Sequence, residues 1–451
     1  MKQVHAHQPV GAIAWTDADQ PKRKRGNGGG SSESDFSIAS EFAETNGDRF
    51  RYDASAAQWF EFNGVLWRPD ETDRASAAML VILQRHGIGS AKKLRDAMKL
   101  AAIDARLVVT REAWDQNPYL LGTPRAVFDL RTGKALPPDP RHMVSMSAAV
   151  TPGNEAPVAW LKFTAEATRG DPAYQRYLQQ LCGYSLSGLT NEEQFWFIYG
   201  DGGGGKGTFL DTYAAGLGDY GWKAAARTFL ASKNERHLTE IASLHRKRFA
   251  YISETPADAD WDIARLKELT GGDPINANRM RQDPFTFLPT HKLLAMGNHA
   301  PTMPQIDNSI RRRLRILPFD NIVPDGKRDV ALKERLKTEL PGIMSWAIEG
   351  FLDWQKHGFI EPKAVVDAGE VYFNDHDAFG EWMAEKCSRE DRHEENSSIL
   401  IRSWNAFLKD RGEPIERPAR FAERMRRAGF SKIKKSEIFW RGITLKTAGE
   451  I

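Results

Sequence analysis

An α/β protein built on a mostly parallel sheet is the fold class this sequence predicts, and three observations carry it. An apolar run, Phe195-Trp196-Phe197-Ile198-Tyr199, opens directly into the glycine-rich stretch Gly200-Asp201-Gly202-Gly203-Gly204-Gly205-Lys206-Gly207-Thr208. Further apolar runs of strand length recur at 248–252, 292–297 and 314–319, with loops and helical patterns between them. Such alternation implies a parallel sheet with helices on its faces. At 451 residues the chain exceeds what one compact core usually holds, so two or three domains are expected.

Taken in order, residues 1–35 read as a flexible tail, because Lys22-Arg23-Lys24-Arg25 and the following Gly26 to Ser32 cannot bury a core. Residues 36–157 form a mixed α+β domain. Phe50-Arg51-Tyr52 and the run from Trp59 to Trp67 read as short strands, the second turning at Asn63-Gly64. A helix is expected from Arg74 to about Leu100, then a short strand and turn from Val127 to Gly133. Trp59 and Trp67 are read as packing residues rather than base-stacking ones. Residues 158–192 are helical in period, with Trp160, Phe163, Tyr177, Leu178 and Leu181 at three- and four-residue spacings. The core occupies 193–325, a helical extension 326–370 and a separate tail domain 371–451.

Composition narrows the function classes. Hydrophobic residues at 41% and charged residues at 27% exclude wholesale disorder. No run approaches the roughly 18 apolar residues of a membrane span, and Met1 to Val10 lacks the apolar core of a secretory signal. Cys182 and Cys387 lie far apart in no CxxC spacing, which disfavours a disulfide framework or a cysteine zinc site and makes a cytoplasmic location the expectation. A net charge of +3 is too mild to indicate nucleic-acid binding; where the charge lies matters more.

The glycine-rich stretch has the G-x4-G-K form with a strand before it and a helix after it. Glycines 200, 202, 203, 204 and 205 let the backbone curl so that successive N–H groups face phosphate oxygens. Lys206 would reach the β- and γ-phosphates, and a helix starting near Gly207 would aim its positive end at the same charge. Gly207 stands where a Ser or Thr is usual. The hydroxyl arrives one place later as Thr208, which would hold magnesium directly or through water.

A nucleoside triphosphatase also needs a carboxylate near the metal and the attacking water. The run Arg248 to Ile252 ends in Ser253-Glu254, making Glu254 the candidate base and metal partner. The run Lys292 to Gly297 ends in Asn298-His299, where Asn298 could hydrogen-bond the γ-phosphate or the water. Arg311-Arg312-Arg313 precede the apolar strand at 314–319, and an arginine aimed at a γ-phosphate stabilises transition-state charge. Between the second and third strands, a Gly-Gly-Asp-Pro turn leads into a basic hairpin carrying Lys267, Arg279 and Arg281, suited to gripping a phosphate backbone.

In order, GDGGGGKGT, RFAYISET, RLKELTGGDPINANRMRQD, KLLAMGNH and RRRLRILPF resemble the helicase module of phage and plasmid primase-helicases, in superfamily three of the helicases. RLKELTGGDP is the most diagnostic segment. The resemblance extends over about residues 40–360, through Trp114-Asp115, Val127 to Gly133 and Leu178 to Gly188 upstream, and Glu339 to Ala347 downstream. It implies a compact AAA+-type motor using ATP and Mg2+, a homo-oligomer, commonly a hexameric ring, that moves along one strand of single-stranded or forked DNA. By this likeness Lys206 binds phosphate, Glu254 activates water and Asn298 senses the γ-phosphate. Arg312, with Arg313 next, is the finger supplied to a neighbouring subunit, and the Lys267 to Arg281 segment faces DNA in a central pore. A primase domain often precedes this module. About 35 flexible residues leave no room for one, so priming is not expected, and a separate primase or polymerase is a candidate partner.

Residues 402–446 hold 13 Lys/Arg against 5 Asp/Glu. A helix over Arg417 to Ala428 and strands at 432–435 and 438–445 suggest a winged-helix-like domain, with Arg424, Lys434 and Lys435 among the residues facing DNA. Two other readings stay open: a phosphotransferase, since a Lys-Gly-Thr loop ending also occurs in nucleoside monophosphate kinases, and a non-enzymatic initiator with a decayed ATP site.

Overall fold

The computed structural model describes residues 34–446, apart from 232–237, 257–258, 281–282, 302, 304–305, 325, 327–328, 376–377, 391 and 413–414. The tail up to residue 33 and Arg281 therefore lie outside the described residues.

Continuous apolar runs become strands when both faces of a sheet are covered. Phe195–Tyr199 lies between Leu314–Pro318 and Lys292–Gly297; Phe249–Ile252 and then Gly221–Lys223 extend the sheet beyond the latter. All four pairings are parallel. Phe195 and Phe197 join Leu266, Leu269, Ala295 and Ile316 on one face. Trp196 and Ile198 meet Tyr177, Phe209, Tyr213 and Phe351 on the other. Burying each such side chain is worth about 1.5–3 kcal/mol. Three-residue Gly221–Lys223 is the strand that the sequence pattern does not single out.

Helix Pro172–Leu186 starts from Asp171, whose carboxylate accepts from the N–H groups of Ala173 (2.9 Å) and Tyr174 (3.2 Å). It crosses helix Leu340–His357 so closely that a Cβ on Gly183 would strike the Ala347 carbonyl, and one on Gly350 the Gln179 carbonyl. Arg176 forks onto Asp353 at 2.6 and 2.7 Å, holding that carboxyl down to about 2. The carbonyls at this helix's C-terminal end meet two buried cations. Arg248 donates to Leu186 and, at 2.7 Å, to Leu120. Lys292 donates to Ser187 and, at 3.2 Å, to Leu189. Cations there oppose the negative end of the helix, although burial pushes the Lys292 ammonium well below its ordinary pKa.

The leading module pairs Trp67–Pro69, Gln58–Phe62, Phe50–Asp53 and Val108–Val109 in that order. Asn63 shapes the expected turn by accepting from the N–H groups of Val65 (3.0 Å) and Leu66 (2.9 Å). Trp67 is buried, and Trp59 packs on Phe42 and Tyr52. The helix expected from Arg74 to Leu100 is two, Arg74–Arg85 and Ala91–Ala101, broken where Gly87 takes φ 69°. Likewise 158–192 divides into Val158–Ala167 and Pro172–Leu186, parted at Arg169-Gly170 with φ 54° and 79°. After the sheet come helices Leu332–Thr338, Leu340–His357 and Lys363–Asp375. The tail module packs helices Ala378–Lys386, Ser397–Asp410 and Pro418–Arg427 and the sheet Glu394–Asn396, Ile438–Arg441, Ser431–Lys434 around Trp382, Trp404 and Trp440.

Gly183→Ala and Gly350→Ala should each cost about 1–3 kcal/mol by overpacking the helix crossing, read as a lower denaturation midpoint. His291 is buried and its pKa is pushed down to about 3, by burial first and by Lys292 second. The unfolded chain therefore binds a proton that the folded one refuses, so stability should fall as pH drops below about 6.5 towards 3. Melting temperatures across that window check this, and His291→Gln should flatten the slope.

Candidate active site

Parallel pairing brings the strand exits together. Tyr199 is level with Gly297 on one side and Pro318 on the other, and Ile252 is level with Ala295. The loops bearing Lys206, Glu254 and Asn298 thus leave one edge of one sheet.

Gly200, Gly203 and Gly205 have φ of 147°, 95° and 86°, in the region that favours glycine. A Cβ on Gly200 or Gly204 would strike the Phe319 carbonyl, and one on Gly205 the Phe163 ring. Gly202 meets nothing within 4 Å, so packing does not require it to be glycine. Helix Lys206–Leu217 comes next, with no side chain capping its first N–H groups. Lys206 is only 7% exposed and folds back onto the loop, donating to the carbonyls of Gly200 (2.5 Å) and Asp201 (2.8 Å). Burial lowers its pKa and Asp201 opposes that shift. The loop is thus a cradle of N–H groups with one ammonium inside it, fit for a polyphosphate. Gly207 and half-buried Thr208 lie on the first helical turn; a Cβ on Gly207 would have Met296 Cε as its nearest neighbour, at 3.9 Å.

Glu254 is exposed and lines a cleft of about 440 Å³ with Ala224, Ala226, Ile252, Ser253 and Pro256. Asn298 is also exposed. The hydroxyl of Thr255 donates to the His299 carbonyl at 2.8 Å, joining the two tips. Neither Thr255 nor Gly297 stands out in the sequence; the only signal is their adjacency to Glu254 and Asn298. Among the described residues no cluster of three His, Cys, Asp or Glu suits a metal. Thr208 and Glu254 supply oxygen donors of the kind magnesium accepts alongside phosphates and water.

The arginines stand elsewhere. The Arg313 carbonyl accepts from the Phe195 N–H, and Leu314 is level with Phe195, so Arg312 and Arg313 sit at the starting edge of the sheet. The five-residue strand separates them from their own phosphate loop by roughly 17 Å. Arg313, its side chain 8% exposed, pairs with Glu193 (2.5 Å) and Ser309 (2.7 Å). That inward engagement corrects its expected place beside Arg312. Arg312 stays 67% exposed, with Glu193 3.7 Å away.

Several expected DNA contacts are also internally engaged. Lys267 pairs with Asp307 at 2.7 Å. Arg279, at the hairpin Ile275–Ala277 and Phe285–Phe287, stacks on Phe285 (4.6 Å) and approaches His245 Nδ1 at 3.4 Å. Burial, then Arg246 and Arg111, push His245 down to about 4, leaving its ring neutral as an acceptor. Arg424 reaches Glu416 at 3.1 Å and covers Phe379 and Trp404, so it holds the tail module together rather than facing outward. Lys434 is exposed; Lys435 is exposed and pairs with Glu394 at 2.5 Å.

Residues 39–169 match the family model described as D5 N terminal like, and 198–313 match a family of unknown function, DUF5906. "Putative helicase L207/L206" of Acanthamoeba polyphaga mimivirus is 25% identical over 319 residues, 64% of this chain and 33% of that protein. "Putative helicase 184R" of Invertebrate iridescent virus 6 is 24% identical over 270 residues, 57% of this chain and 27% of that protein. The chain therefore spans about a third or less of these curated relatives. Among solved structures, the apo C terminal region of NrS-1 (A form) matches with TM-score 0.53 and 11% identity, covering 92% of this chain and 100% of that one; this likeness speaks to fold. No helix among the described residues is long and apolar enough to cross a membrane. Together these matches support a likeness between this chain and the phage-type primase-helicases.

Proposed function

We propose that this chain is an ATP-driven DNA helicase of phage- or plasmid-type replication, of superfamily three and AAA+ type, working as a ring of identical subunits on single-stranded or forked DNA. One observation carries the reading: the Gly200–Thr208 loop with Lys206, the Glu254 carboxylate and the Asn298 amide leave one edge of a five-stranded parallel sheet. Lys206 exchanges two loop carbonyls for β- and γ-phosphate oxygens. Glu254 orients and deprotonates the attacking water, and Asn298 hydrogen-bonds the γ-phosphate or that water. Thr208 and Glu254 would hold magnesium together with the phosphates, and the bound ion would supply charge neutralisation at the transferred group.

Placement of Arg312 on the far edge, exposed, supports its acting on the nucleotide of a neighbouring subunit. A ring is the simplest assembly in which every subunit both lends and receives that group. Among the described residues, exposed Lys434 and Lys435 of the tail module are cations available to DNA, Lys435 sharing its charge with Glu394. The names of the viral relatives support a helicase-like role in replication.

Purified protein should hydrolyse ATP faster with single-stranded DNA present, and nucleoside monophosphates should not substitute for DNA. Lys206→Ala should lower turnover roughly 100-fold or more, the scale of losing one preorganised donor at developing charge. Arg312→Ala should be similarly inactive alone, yet mixing it with Lys206→Ala should restore part of the activity. Unchanged turnover in Lys206→Ala, or no recovery on mixing, contradicts the corresponding assignment. Gly207→Ser brings its Cβ into ordinary contact with Met296 Cε, at 3.9 Å, and should add about 0.5 kcal/mol of stability from helix propensity while keeping turnover, measured by denaturation and ATPase assay together.

A further inference from the structure

We propose that Thr255 is a positioning residue whose hydroxyl binds the strand tip carrying Glu254 to the tip carrying Asn298, so that carboxylate and amide meet the attacking water as one unit. This rests on the ATPase reading above and goes beyond it. The parallel ladder that aligns these two strands ends at Ile252 and Ala295, two residues short of Glu254. Strand pairing therefore does not fix the distance between the two functional side chains. Beyond the ladder lies a loop in which Glu254 and Pro256 are exposed while Thr255, between them, is 3% exposed.

The Thr255 hydroxyl donates to the His299 carbonyl at 2.8 Å. To do so it passes over Gly297, where a Cβ would overlap that same oxygen. Glycine at 297 is thus what admits the bridge, which reaches the backbone on either side of Asn298, at Gly297 and at His299. Removing the hydroxyl without changing shape takes away a hydrogen bond that joins the two loops among the described residues.

The test compares Thr255→Val, which keeps the volume and loses the donor, with Thr255→Ser, which keeps the donor, in the full chain with single-stranded DNA. Thr255→Val should lower kcat roughly 10- to 100-fold, the range for an ångström-scale misplacement of a reacting group. Affinity for a fluorescent ATP analogue should stay near that of the unchanged protein, and Thr255→Ser should recover most of kcat. Should Thr255→Val fold poorly, Thr255→Ala assayed below its melting temperature gives the same readout. Turnover in the valine or alanine variant equal to that of the unchanged protein overturns the bridge alone. Equal losses of kcat and nucleotide affinity in both the valine and serine variants reduce Thr255 to a structural role. An unchanged protein without any ATP turnover sinks the ATPase reading itself.

Discussion

Parallel pairing of Phe195–Tyr199 with a neighbour on each side is the constraint from which the candidate site arises. Strands running the same way release their chains at the same edge, and the observed register brings three of those exits to one height. An antiparallel neighbour would send its loop to the far edge, roughly 17 Å away along a five-residue strand. Arg312 demonstrates the other side of this rule, since it enters its strand at the edge opposite the loop of Lys206. The same geometry gathers one set of groups and separates another.

Within that edge, backbone approaches backbone at the positions where side chains are missing. Gly200 and Gly204 lie against the Phe319 carbonyl, and Gly297 beneath the Thr255 hydroxyl. These glycines are dictated by neighbours as much as by dihedral angle. The cradle they shape keeps Lys206 satisfied by two carbonyls.

Much of this is legible in the chain itself. Apolar runs covered on both faces, and a glycine-lysine loop between strand and helix, are local patterns, and they locate Lys206, Glu254 and Asn298 at strand ends. Cation partners are not legible, because they come from distant segments: Arg313 with Glu193, Lys267 with Asp307. A basic residue in a string looks free until folding brings it a carboxylate. Gly221–Lys223 escapes notice because three residues beginning with glycine leave no periodicity to read. The break at Gly87 carries a signal that helical spacing on either side obscures.

Arg248 joins segments that the sheet alone would leave apart. Its guanidinium touches Leu120 of the leading module and Leu186 at a helix end, while its own backbone enters the strand that leads to Glu254. One short rod thus has its foot welded to the leading module and its head beside the candidate base. A shift of that module therefore either carries the strand with it or strips a buried guanidinium of a carbonyl partner.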